Sequence, residues 1–231
     1  MFPECHWCGN YRYSRPVRYL FAALRFAAAV AIIVAVVAQW SRSLDSGVYS
    51  FWNFFGYFTI QSNLLIAVAF VIVAAFGVRG VPTPEWLLVS HAATVTYLAT
   101  TGLVYNTLLR GSDVDNSFTV QWSNDILHVW IPLFAVLEWI LLGDRDRLSW
   151  KRLWFFLIYP VVWLVVILIR GQSFVPYPFL NVDKLGAGVV ALYCLGIAVF
   201  IAGMSALVIW LSRYRVIRDD SIVERDTLSR T

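Results

Sequence analysis

With 231 residues, 60% of them hydrophobic and only 14% charged, and a mean hydropathy of +0.69, the chain carries more apolar surface than one soluble core of this size can bury. That excludes an ordinary soluble domain and makes lipid the solvent. The excess of 18 basic over 14 acidic residues therefore bears on membrane orientation rather than on nucleic acid.

The chain opens with Cys5-His6-Trp7-Cys8, and its third cysteine, Cys194, stands alone in a late apolar run. Three cysteines do not make a disulfide framework. The CxxC pair is half of a zinc set with no second pair following, so two reduced thiols in a short tail are expected, with no metal and no cofactor. Apolar runs of spanning length follow at 17–40, 51–78, 86–109, 122–142, 153–169 and 185–211. The connections are short and rich in Gly, Pro, Asp and Arg, so the expected architecture is all-α: one six-span integral membrane domain over residues 1–231. Arg12, Arg15 and Arg18 before the first run, and the small-residue pattern Val36-Val37-Ala38 within it, resemble a signal peptide. The run is longer than a signal core, so it is read as a retained span. The first and last three spans share no polar pattern, which argues against a transporter built from repeats.

With the N-terminus inside, 13 basic residues, from Arg12 to Arg230, fall on cytoplasmic segments, against Arg42, Arg110, Arg170 and Lys184 outside. The positive-inside rule then predicts a multi-pass protein of the cell membrane with both termini cytoplasmic. Arg25, within the first span, is expected to snorkel to the inner face.

The second run enters from outside and places Thr59, Gln61, Ser62 and Asn63 together. If its helix starts near Asn53, Thr59 lies roughly 9 Å inside, with Asn63 on the same face. The fourth run, WSNDILHVWIPLFAVLEWI, sets His128 at a similar depth after Trp122, with Asp125 three residues earlier on one face. Pro132 lacks the N–H that the His128 carbonyl needs, which predicts a kink. An ionisable ring at such depth belongs in the bundle interior.

These residue types allow nucleophilic acyl transfer. A Thr59 hydroxyl becomes a nucleophile when a base takes its proton; His128 supplies the base, and Asp125 could orient the ring. Asn63, Gln61 or Asn106 could hold substrate and donate to an oxyanion. The plainer alternative is a Thr–His hydrogen bond that fixes packing in a non-catalytic lipid-binding or solute-transport protein.

YFTIQSN (57–63), ILHVWIP (126–132) and VPYPFLN (175–181) resemble the hallmark segments of the androgen-induced-gene-one and androgen-dependent TFPI-regulating protein family, and more closely its bacterial predicted-six-span relatives. The animal members are intramembrane hydrolases of fatty-acid esters of hydroxy fatty acids that use a Thr and a His. The resemblance carries those roles to Thr59 and His128, and implies a membrane-lipid or lipid-ester partner. Around the histidine this chain departs from the animal pattern, which has a second His and a different spacing to the Pro.

His91 enters with the third span from the inner side and is expected to be held by local hydrogen bonds. Glu138 is expected to reach toward Arg145 or Lys151. Asp113-Val114-Asp115-Asn116-Ser117 begins like a calcium loop but lacks its glycine and closing glutamate. The tryptophans near span ends read as an aromatic belt. In GQSFVPYPFLNVDK (171–184), Pro176 and Pro178 oppose a helix; its aromatics, Tyr177 among them as a substrate contact, suit either a lid over a pocket or a stiff surface loop.

Overall fold

The computed structural model describes residues 14–47, 49–111, 119–142 and 145–214. The Cys5–Cys8 element, Arg12 and the acidic stretch 113–117 lie outside them. Six helices are long and apolar enough to cross a membrane: α1 (Arg15–Leu44), α2 (Phe58–Arg79), α3 (Glu85–Leu109), α4 (Gln121–Leu141), α5 (Trp150–Ser173) and α6 (Ala187–Leu211). The protein is an all-α, polytopic integral membrane protein. Because the number of spans is even, residues 14 and 214 lie at one end of the bundle, and the segments 49–57 and 174–186 at the other.

Burial ranks the helices. Buried residues make up 72% of the 18-residue apolar stretch of α3 and only 11% of that of α5, so α3 is the central post and α5 a peripheral stave. α3 packs against α2, α4 and α6, and α1 lies along α2. A central helix in lipid must satisfy its own polar groups. Thr94, Thr96 and Thr100 do so by donating to the carbonyls of His91, Ala92 and Thr96.

One expected boundary is corrected. The second apolar run is not one helix: a short helix, Phe51–Phe54, ends before Gly56, and α2 begins only at Phe58. A side chain at Gly56 would meet Phe174 at 2.7 Å and the Trp52 carbonyl at 2.8 Å, so the break sits where two segments touch. The segment before α2 packs against the 174–186 connection, with Tyr57 edge-on to Phe174 and Tyr177. With α2 beginning at Phe58, Thr59 lies in the first turn of its helix rather than roughly 9 Å inside it.

The end that holds residues 14 and 214 has a buried ionic cluster. Arg25 donates through Nε and Nη2 to Glu138 Oε1 at 2.7 and 2.5 Å, and His91 Nε2 lies 3.3 Å from Glu138 Oε2. Arg25, Glu138 and His91 are 2%, 3% and 3% exposed. This corrects three expectations at once. Arg25 does not snorkel, Glu138 turns to Arg25 and His91 rather than to Arg145 or Lys151, and His91 is held by residues of other helices. The cost of burying a charge in the span is offset when charges from neighbouring helices meet. Arg145 instead stacks over Trp139 and donates to the Leu142 carbonyl.

Candidate active site

The fourth helix carries an irregularity where chemistry is expected. Over Ile126–Trp130 its hydrogen bonds widen to π-helical spacing, so the Ile131 N–H bonds to the Ile126 carbonyl. The Leu127 carbonyl thereby loses its usual donor, and Pro132 offers none to the His128 carbonyl. Neighbouring helices supply both. Asn63 Nδ2 donates to the Leu127 carbonyl at 3.1 Å and to the Thr59 carbonyl at 2.9 Å. Asn106 Nδ2 donates to the His128 carbonyl at 3.4 Å and to the Gly102 carbonyl at 2.8 Å. The close approach needs a glycine: a side chain on Gly102 would meet Pro132 Cβ at 2.8 Å. A second π-turn, Tyr105–Leu109, closes α3 beside the first.

These adjustments aim the imidazole. His128 Nε2 stands 3.1 Å from Thr59 Oγ1, and His128 Nδ1 stands 3.1 Å from the Asn124 carbonyl. A carbonyl only accepts, so the ring proton is assigned to Nδ1 and the Nε2 lone pair faces the Thr59 hydroxyl. Tyr105 stacks on the ring, with centroids 4.2 Å apart and planes 28° from parallel, while Asn124 Nδ2 donates to its hydroxyl at 2.5 Å. The group that orients His128 is the Asn124 carbonyl. Asp125, expected there, accepts from Gln121 Nε2 at 3.3 Å.

The amides expected to hold substrate are otherwise engaged. Both N–H bonds of Asn63 and both of Asn106 go to carbonyls. Gln61 donates to the Phe55 carbonyl at 2.7 Å and accepts from the Tyr159 hydroxyl at 2.6 Å, tying the first turn of α2 to α5. Tyr177 does reach the site. It borders both of the cavities that Thr59 borders, beside the first turn of α2. Burial raises its phenol to a pKa of about 12 against the opposing pull of Thr59, so it is a neutral donor at physiological pH. The connection that carries it packs inward, with Phe174, Tyr177, Phe179 and Leu180 buried. It is partly helical after all, since Pro178 opens the turn Pro178–Leu180 and a short helix Val182–Leu185 follows.

Two cavities meet at this point. One, of about 110 Å³, runs between α3, α5 and α6 and is walled almost wholly by apolar side chains such as Val104, Leu157, Leu164 and Ile201. The other, of about 260 Å³, is the polar cavity of the pair: apolar side chains such as Phe54, Ile60 and Leu127 still make up most of its wall, but Gln39, Ser43, Thr119 and Asn124 give it a larger polar share. Thr59, His128, Tyr105, Leu109 and Tyr177 border both. Sequence reasoning missed Tyr105 and Asn124. Only the tyrosine's place beside Asn106 hinted at either.

Compared with family models, curated proteins and solved structures, the chain matches none.

Proposed function

We propose that this integral membrane protein is an intramembrane hydrolase of lipid acyl esters, with Thr59 as nucleophile and His128 as general base. The observation that carries the reading is the 3.1 Å contact between Thr59 Oγ1 and His128 Nε2, made where an apolar cavity meets a polar one. The motif resemblance to the intramembrane threonine hydrolases supports the same pair.

In the proposed cycle, His128 Nε2 takes the Thr59 proton as Oγ1 attacks the ester carbonyl carbon. Charge then develops on the carbonyl oxygen, and the hydroxyl of Tyr177, which shares the cavity walls with Thr59, is the donor we assign to it. Collapse breaks the carbon–alkoxide bond, His128 returns the proton to the alcohol, and the acyl group stays on Thr59. Water from the polar cavity attacks in turn, again giving a proton to His128. The acid leaves and Thr59 regains its hydrogen. Asn124 holds the tautomer that both half-reactions require.

The distribution of basic residues supports a cell-membrane location with cytoplasmic termini and the polar cavity on the outer side. A fluorophosphonate probe should label the wild-type protein and neither Thr59→Ala nor His128→Ala. Unchanged labelling of Thr59→Ala removes that residue as nucleophile. A wild type that neither labels nor hydrolyses esters leaves the apolar cavity to a non-catalytic lipid-binding role.

A further inference from the structure

Resting on the hydrolase reading, we infer that the acyl chain of the substrate enters sideways from the lipid, through the cleft between α5 and α6, and that the alcohol it is esterified to lies in the polar cavity. The site thus takes an ester joining one fatty chain to a polar alcohol. Three observations lead there. The apolar cavity is walled on its outer flank by Leu157, Val161 and Leu164 of α5 and by Cys194, Ala198 and Ile201 of α6. On each helix the wall covers seven residues of rise, roughly 10 Å along the bundle axis. The wall is incomplete. Val161 is 55% exposed and Ala198 is also exposed, so the cavity edge and the lipid-facing surface coincide at these two residues.

The second observation is how loosely that side of the bundle is built. Buried residues make up 11% and 22% of the 18-residue apolar stretches of α5 and α6, against 72% for α3. Parting these two helices uncovers little packed surface, whereas parting α3 from its neighbours disrupts the core. Ala198 keeps the cleft shallow on the α6 side, and Pro160, which also borders the cavity, interrupts the α5 hydrogen-bond ladder at this level.

The third is the division of polarity about Thr59. A carbonyl placed at Thr59 Oγ1 has an apolar chamber on one side and the cavity lined by Gln39, Ser43, Thr119 and Asn124 on the other. Burying a polar alcohol in the first chamber costs its hydrogen bonds, while burying a hydrocarbon chain there replaces contact with lipid at little cost. The ester can therefore be seated in one sense only. The alkoxide leaves toward the side from which water arrives, and the fatty acid returns to the bilayer by the cleft.

The test uses the full-length protein in phosphatidylcholine vesicles, with p-nitrophenyl butyrate as a water-borne ester and p-nitrophenyl palmitate as a lipid-borne one. Ala198→Trp and Val161→Trp place an indole in the cleft from opposite helices. Each should lower the palmitate-to-butyrate ratio of kcat/KM about tenfold or more. Leu192→Trp, on a lipid-exposed face of α6 away from the cavity, should keep the wild-type ratio. If both cleft variants hydrolyse butyrate and retain the wild-type ratio, the chain enters elsewhere and the inference falls while the hydrolase reading stands. If the wild type hydrolyses neither ester, the hydrolase reading falls and takes the inference with it.

Discussion

Two buried polar clusters occupy opposite ends of the bundle, each built round one histidine, and they are put together differently. His91 lies against Glu138, which Arg25 grips with two donors, and all three are 3% exposed or less. Around it Phe70 and Trp139 pack edge-on to the ring, and neither of the two cavities beside Thr59 reaches it. His128 is held as firmly, by the Asn124 carbonyl and the stacked Tyr105, but its remaining nitrogen points at a hydroxyl that borders two cavities. A buried histidine closed in by charge and aromatic rings ties helices together. One whose lone pair faces a hydroxyl beside a cavity is equipped for proton transfer.

Mutation should separate the two. Thr59→Ala or His128→Ala should reduce ester hydrolysis by about a thousandfold or more, with the unfolding midpoint in detergent almost unmoved. Glu138→Ala should do the reverse: it strands the buried Arg25 guanidinium and costs about 3–5 kcal/mol of stability, while the fraction that remains folded keeps its turnover. Denaturant unfolding of purified protein, paired with activity per folded molecule, checks both. Equal effects of the two kinds of substitution on stability would erase the distinction.

Smaller effects sharpen it. Gly102→Leu drives α3 away from Pro132 and should shift His128 enough to cost about 10–100-fold in kcat. Tyr105→Leu removes the ring that stacks on His128 and should cost about tenfold. Asp125→Asn should change turnover by about twofold at most, because that carboxylate meets Gln121 and not the imidazole. Steady-state hydrolysis of one ester by the three variants gives the order, and an Asp125→Asn loss approaching that of His128→Ala contradicts the assignment of Asn124 as orienting group.

Much of the fold was legible in the sequence because a bilayer demands long apolar helices, and their lengths can be read directly. The break at Gly56 was not, since aromatic residues continue on both sides and hydropathy does not register a change of direction. Thr59 and His128 were placed together from depth counted along two helices. They do meet, but with Thr59 in the first turn of an α2 that begins only at Phe58. Asp125 looked like the third partner because it shares a helical face with His128. The π-turn alters that spacing and leaves Nδ1 against a backbone carbonyl, which no side-chain pattern announces. The Arg25–Glu138–His91 cluster needed three helices to be packed before its members could be matched, so each was assigned a nearer partner or the membrane surface.

The most direct measurement is to locate the acyl group itself. Wild-type protein in vesicles, turning over an activated acyl ester and quenched in acid, is digested and mapped by mass spectrometry. The expected result is an acyl mass on the peptide containing Thr59, localised to that residue by fragmentation, and lost in His128→Ala. An adduct on the neighbouring Ser62 or Thr101 hydroxyls, or hydrolysis with no acylated peptide at all, contradicts Thr59 as the nucleophile.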